Sequence, residues 1–284
     1  AVLAVDVGGE RAHLGAEDTI IELSVTPNRG DCLSVLGVAR EVAALTGASL
    51  HVRNASLAET VTAASRFARV EVQASDLCPH YAGRVVRAVR VAPSPLWMQA
   101  RLAMVGLRPI SNVVDATNYV MIERGQPLHA FDLHRLRGAS ITVRRAGSRQ
   151  RYETLDGQSR ELVADDLVIA DAEGPVAIAG VMGGADSEIK PDTVDILLES
   201  AFFVPETVRR TARRLGLTTE SSYRFERGVD PGGTRHALDR VAELIVGHAG
   251  GVVAKGVLEA RAPGRRARAA IRLRPTRVNA LLGT

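Results

Sequence analysis

The residues of this chain that could do chemistry gather in five short runs, polar or glycine-rich, separated by apolar stretches. They are Ser111-Asn112-Val113-Val114-Asp115-Ala116-Thr117-Asn118-Tyr119; Gly125-Gln126-Pro127-Leu128-His129-Ala130-Phe131-Asp132; Ala179-Gly180-Val181-Met182-Gly183-Gly184; Leu198-Glu199-Ser200-Ala201-Phe202-Phe203; and residues 216–231, GLTTESSYRFERGVDP. Glu199 is the least comfortable of these residues. A carboxylate between Leu198 and Phe202 must find a partner or stay in water. Arg224 and Arg227 are candidates to make that partner a structural ion pair. Gly180, Gly183 and Gly184 follow a strand of buried type, where small residues let backbone approach a ligand or simply make a tight turn. Thr117 and Asn118 either bond within their own helix or face a ligand. His129 is either a satisfied structural histidine or a group that titrates near working pH. In the last run Tyr223, Phe225 and Val229 interleave with Arg224, Glu226, Arg227 and Asp230. That pattern suits a loop held against something specific, and loops fixed by a scaffold often carry function.

Several chemistries have no signature here. G-x-S-x-G, H-E-x-x-H, the P-loop and G-x-G-x-x-G are all absent, which argues against a serine hydrolase, a zincin or a nucleotide triphosphatase. The seven histidines show no metal-ligand spacing, so no metal site is expected. Cys32 and Cys78 make no framework and no C-x-x-C pair, pointing to a reducing, cytoplasmic setting. No apolar run approaches the roughly 18–20 residues that span a bilayer, and no membrane partner is expected. An apolar fraction of 46% with 24% charged residues is that of an ordinary globular protein. Of the 36 basic residues all but Lys190 and Lys255 are arginine, and the formal charge is +4. That charge permits an RNA partner without requiring one, and codon bias in a GC-rich genome explains the arginines equally well.

The elements that must position these runs can be read from periodicity. A turn at Thr26–Asp31, with Asp31 as N-cap, leads into a helix over about 32–46 that Gly47 stops. A soft linker follows at about 48–66. Strands are predicted at Arg69–Val72 and Tyr81–Val91, then a helix opened by Ser94-Pro95 and closed by Gly106, and another over 112–124 ended by Gly125. Residues 140–199 read mostly as strand: Ile141–Val143, a hairpin at Asp156-Gly157, Leu167–Ile169, Val176–Ile178 and Val194–Leu198. Helices return at about 205–214 and 234–249. Residues 261–268 read as a basic linker, Ile271–Leu273 as a strand, and Thr276 as the cap of an apolar helix. Residues 1 to about 30 show little core-forming periodicity apart from the apolar run at Ile20–Leu23; the lack of an initiator Met suggests a processed or cut chain, and the end reads as the start of a further domain.

Taken together the five runs are highly specific. TPNRGDCLSVLGVAREVAALTG, SNVVDATNYVMIERGQPLHAFDL, LDGQ, AGVMGG, LLESAFF, GLTTESSYRFERGVDP and the following ALDRVAELI resemble, in order and over nearly the whole chain, the β subunits of bacterial phenylalanyl-tRNA synthetases. The closing VNALLGT looks like the opening of that subunit's next domain.

The resemblance implies an α+β fold: a mixed-sheet, barrel-like B3/B4 domain with flanking helices, and partial helical-type domains at both ends. Residues 1–50 would close a split N-terminal domain, 51–66 link, 67–260 form the B3/B4 editing domain, and 261–284 lead into a truncated fifth domain. It implies a heterotetramer of two α and two β subunits and binding of tRNA(Phe). ATP and magnesium would serve the whole enzyme and no cofactor this fragment. It further implies hydrolysis of mischarged Tyr-tRNA(Phe), with tyrosine or phenylalanine as the small ligand. A synthetic pocket for phenylalanine rejects an added hydroxyl only about a hundredfold, so a second sieve is useful. By the same resemblance Glu199 reads the tyrosine hydroxyl. His129, Thr117 and Asn118 surround the ester end, Gly180 and Gly183 leave room, and Thr219 and Ser221 line the pocket. Ser221 stands where many relatives carry Ala. No covalent nucleophile is in view, so a positioned water is the expected attacker; His129 is its base or its holder. The alternative is a degenerate pocket in a non-catalytic scaffold of the same assembly.

Overall fold

The computed structural model describes residues 21–262, residue 270 and residues 272–284. The chain runs α1 (Val35–Thr46), β1 (Glu59–Ala63), β2 (Arg69–Val72), β3 (His80–Arg87), α2 (Leu96–Met104), α3 (Asn112–Arg124), β4 (Leu128–Asp132), β5 (Ser140–Arg145), β6 (Gln150–Glu153), β7 (Ser159–Leu162), β8 (Leu167–Ala170), β9 (Pro175–Ile178), β10 (Met182–Gly183), β11 (Ile196–Phe202), α4 (Pro205–Leu215), α5 (Glu220–Phe225), α6 (Thr234–Ala249), β12 (Val252–Lys255), β13 (Leu258–Arg261) and α7 (Pro275–Leu282). This is the expected α+β class.

Two mixed sheets carry the fold. One has the order β1-β12-β3-β11-β4, with β13 also on β3; the other is β10-β9-β8-β5-β2. Among the described residues neither sheet closes on itself, so the barrel-like arrangement implied by the resemblance is replaced by stacked open sheets. Strands β3 and β11 are buried along almost their whole length, because the first sheet is covered on both faces. One face meets α2, α3 and α6 through Ala82, Val86, Ala130, Ile196 and Leu198 against Met98, Leu102, Val113, Val120, Leu238, Val241 and Ile245. The other meets the second sheet and α4 through Tyr81, Val85, Phe131, Leu197 and Ala201 against Ile141, Val143, Val168, Ile178 and Val208. Two-sided burial explains why LLESAFF reads as a continuous apolar run rather than an alternation. Its lone Glu199 is thereby forced into the layer between the sheets.

Five local readings change. The soft linker expected over about 48–66 is cut short, because Glu59–Ala63 is strand β1, paired parallel with β12. Ser34, not Asp31, caps α1 by accepting from Gly37 N (3.0 Å), since Gly30–Cys32 forms a separate 3-10 turn and Asp31 pairs with Arg29. Ser94 does not cap α2, because its hydroxyl donates to Asp115 at 2.5 Å. Residues 216–231 are not all loop: Thr219 and Ser222 form a reciprocal capping box that starts α5. The last helix begins at Pro275 after Arg274, with Thr276 inside it and no residue buried. Residues 1–20, 263–269 and Ile271 lie outside the described residues, and with them Ile20, most of the basic run and part of the expected final strand; Arg272 and Leu273 carry no regular structure.

Candidate functional site

Where β4 and β11 pair antiparallel, His129 stands directly opposite Glu199. Both therefore project from the same face of the sheet into the layer between the sheets. There they form the inner wall of a cavity of about 230 Å³. The Gly180–Gly183 corner, Asn118 and Met121 of α3, Leu155 of the β6–β7 hairpin, and Thr219, Ser221 and Phe225 complete it.

The glycines are there for space. Gly180 has φ +71°, and a Cβ on it would lie 3.0–3.1 Å from Val208, Phe203 and Phe225. A Cβ on Gly183 would lie 2.9 Å from His129 Cε1 and 3.0 Å from Leu155 Cδ1, so the imidazole packs on bare backbone. Phe131 holds the ring from another side, in an edge contact with centroids 4.5 Å apart. The corner is then tied to the start of α5. The Thr219 hydroxyl donates to Val181 O (2.8 Å) and accepts from Ser222 N (3.0 Å), and the Ser221 hydroxyl donates to Gly180 O (3.2 Å). Both hydroxyls line the cavity, but their bonds go to the wall.

The electrostatics of Glu199 and His129 set the site apart. Glu199 is almost completely buried, and burial pushes its carboxyl up to about 8; the Tyr81 phenol behind it offsets part of that rise. His129 keeps some surface toward the cavity, yet its Nε2 is sealed and burial pushes its pKa down to about 4. Desolvation disfavours the charged form of each, so near neutral pH the pair is a protonated acid facing a neutral imidazole. Among the described residues Glu199 Oε2, His129 Nε2 and Tyr81 Oη all lack a hydrogen-bond partner. Native proteins leave few buried polar atoms unpaired, and such a concentration needs an explanation.

Of the eight residues expected at the site, seven line this cavity: Asn118, His129, Gly180, Gly183, Glu199, Thr219 and Ser221. Thr117 does not. Its hydroxyl donates back to Val114 O at 2.6 Å within α3. Arg224 and Arg227 are not the partners of Glu199 either. Arg224 Nη1 bonds Glu220 Oε2 (2.5 Å) and its Nε bonds Leu33 O (3.2 Å), whereas Arg227 Nη1 bonds Glu226 Oε1 (2.5 Å) with its guanidinium 3.6 Å from the Tyr223 ring. Those two arginines brace the segment, while Phe225 packs on Phe203 at 5.0 Å. Sequence reading missed Leu155, taken only as part of a turn, and Tyr81, whose one signal was its place in a strand facing Glu199's. Among the described residues one carboxylate–thiol cluster comes together, Asp31, Cys32 and Glu41, and Arg29 fills it with bonds to both carboxylates.

The fold and this cavity define a B3/4 domain: that family's model matches residues 77–250, and the chain belongs to the family. Similar proteins make the assignment narrower. The chain is 51% identical over 271 residues to a protein of Syntrophus aciditrophicus named phenylalanine–tRNA ligase β subunit, and 54% identical over 271 residues to one of the same name from Moorella thermoacetica. Each match covers 95% of this chain and 34% of the relative, so the chain spans about a third of their length. A solved N-terminal fragment of the phenylalanyl-tRNA synthetase β subunit from Pyrococcus horikoshii overlays with a TM-score of 0.43 at 12% identity, over 92% of this chain and 71% of that one, a likeness too distant to bear on the site.

Proposed function

We propose that this chain is the editing portion of a phenylalanine–tRNA ligase β subunit and that its cavity hydrolyses the ester of mischarged Tyr-tRNA(Phe). The observation that carries the reading is the juxtaposition of Glu199 and His129, each with an unpaired polar atom, in the wall of a cavity of side-chain size. Such a wall discriminates by what it leaves unpaired. A tyrosyl ring brings a phenol that gives Glu199 a donor, and such a hydrogen bond contributes about 0.5–1.5 kcal/mol to the neutral acid and about 1.5–3 kcal/mol once the carboxyl ionises. A phenylalanyl ring brings nothing and leaves the acid sealed and unpaired. Because the empty site is uncharged near neutral pH, the ring enters without desolvating an ion.

His129 supports positioning rather than proton storage. With its pKa pushed down to about 4, the imidazole is neutral and a poor holder of a proton at pH 7. Its Nε2 accepts a hydrogen bond from water or from the substrate ammonium. Asn118, which also lines the cavity, is the second polar side chain available to the ester end. Hydrolysis then proceeds by attack of water on the ester carbonyl carbon. The bond to the ribose oxygen breaks, that oxygen leaves with a proton, and tyrosine and free tRNA(Phe) result. Thr117 holds α3 rather than the substrate. The two-α, two-β assembly, tRNA(Phe) binding and the ATP- and magnesium-dependent synthesis of Phe-tRNA belong to the same proposal for the whole enzyme. Residues 67–260 are its editing domain, with 1–50 and 261–284 parts of the neighbouring domains.

The test is deacylation of Tyr-tRNA(Phe) by the αβ enzyme. Ester loss well above the spontaneous rate, with Phe-tRNA(Phe) spared, is expected. Loss at the spontaneous rate makes the module a scaffold with a degenerate pocket.

A further inference from the structure

Tyr81 lies outside the cavity but directly behind Glu199. Gly83 is the β3 residue opposite Glu199, and Tyr81, opposite Ala201, is the diagonal neighbour on the same face. An aromatic side chain spans that diagonal, and Gly83 places no side chain of its own between the two. Tyr81 is fully buried in the core between the sheets. Its hydroxyl finds no well-aligned partner there, nor does Glu199 Oε2. The two groups nevertheless act on each other: after burial, the charge of Glu199 is the largest influence holding the Tyr81 phenol protonated, and Tyr81 in turn draws the Glu199 carboxyl down. A site that required only an aromatic would be filled by Phe without sealing in a hydroxyl.

We infer that Tyr81 is a positioning residue for tyrosine selectivity, donating to one oxygen of Glu199 from behind so that the other is presented to the ligand phenol. The inference rests on the reading of the cavity as a tyrosyl site. The titratable groups facing the carboxyl are Tyr81 and Cys78 behind it, His129 opposite, and Glu220 in the cavity lining. Cys78 is no competitor, since its thiol is held protonated by burial and lies 3.6 Å from the His80 carbonyl. In the empty cavity the acid carries its proton and the Tyr81 hydroxyl behind it completes no hydrogen bond. When tyrosine enters, two phenol donors converge on one carboxyl, a surrounding that favours the ionised form. The carboxyl proton passes to solvent and both phenols keep theirs. Phenylalanine adds no donor, and the acid stays protonated.

The experiment measures binding of free L-tyrosine and L-phenylalanine to the 284-residue chain by calorimetry between pH 6 and 9, for wild type and Tyr81→Phe. Tyrosine binding is expected to weaken about 10-fold or more on loss of a charge-assisted donor, and its pH midpoint to move upward. Phenylalanine binding is expected to change less than about 2-fold, since no bond to it is lost. In a Glu199→Gln background the same substitution is expected to have no further effect on selectivity, a coupling that a purely structural role does not produce. Equal weakening for both amino acids, an unmoved midpoint, full additivity with Glu199→Gln, or no tyrosine binding by the wild-type chain each overturns the assignment. Tyrosine-selective binding without deacylation of Tyr-tRNA(Phe) by the αβ enzyme would instead remove the editing reading and leave the role of Tyr81 in selectivity standing.

Discussion

Arg84 and Glu199 are near neighbours on the paired strands β3 and β11, yet the protein treats them in opposite ways. Arg84, opposite Leu198, faces away from the cavity and is paired: Nε bonds Asp239 at 2.6 Å, and Nη1 bonds Glu59 at 2.7 Å and Gly256 O at 3.3 Å. Glu199, one register position away, has no cation partner among the described residues, a sealed orphan oxygen and a pKa pushed up to about 8. Arg84 is an ion held by two carboxylates and a carbonyl, a structural arrangement; we propose that Glu199, an acid left neutral beside a cavity, is held for a ligand. The same contrast separates Arg224 and Arg227, bonded within the segment that carries them, from the cavity wall that they brace.

The comparison breaks most visibly at Arg84. Replacing it by Met strands the carboxylates of Glu59 and Asp239. Removing one partner of a buried ion pair costs about 3–5 kcal/mol, and the low end applies because both acids keep contact with water. Urea unfolding should show that loss, while tyrosine selectivity per folded molecule stays unchanged. Glu199→Gln should do the reverse. Tyr-over-Phe discrimination in deacylation should fall about 10-fold or more, whereas unfolding free energy near pH 7 should not fall, since no bonded partner is stranded and the wild-type acid must take up a proton to fold. Parallel losses of stability and selectivity in either variant would erase the distinction.

The dependence of stability on pH sharpens it further. Glu199 is raised on folding, so its contribution is fully present below the ordinary glutamate range and is lost as pH rises towards 8. His129 is lowered, so its contribution is present above the ordinary histidine range and is lost as pH falls towards 4. Between about 4.5 and 6.5, folding adds one proton at Glu199 and removes one at His129, and the two slopes cancel. Wild type should therefore be nearly flat there with respect to this pair. Glu199→Gln should lose stability on acidification through that window, and lose the decline above it. Urea titrations at several pH values read both. The smallest effect is expected at Thr219. Thr219→Val removes the cap of α5 and the bond to Val181 O and should cost about 1 kcal/mol, widening the cavity wall without abolishing selectivity.

Much of this was legible in the chain. The stop of α3 follows from Gly125, which adopts φ +77°, and the β6–β7 hairpin from Asp156-Gly157. Helix α5 was not, because its capping box uses Ser222 at the third helical position instead of the usual Glu or Gln. Ser94 misled for a related reason: its hydroxyl is diverted to Asp115, twenty-one residues away. Glu199 stood out as a carboxylate in an apolar run, and Thr219 and Ser221 were reached only through the family resemblance; the separation of Glu199 from Arg224 and Arg227 was not legible, since pairing across strands is set by register. Whether a hydroxyl such as that of Thr117 faces a ligand or its own helix is likewise decided by one side-chain rotation.

We propose that Glu199 and His129 form a neutral wall completed by a ligand phenol. A crystal structure of the chain with L-tyrosine tests it most directly. The ring should lie in the cavity beside Gly180 and Gly183, with its hydroxyl within hydrogen-bond distance of a Glu199 carboxyl oxygen. Tyrosine bound with its hydroxyl directed away from Glu199, or L-phenylalanine held in the same place with equal occupancy, would contradict the account.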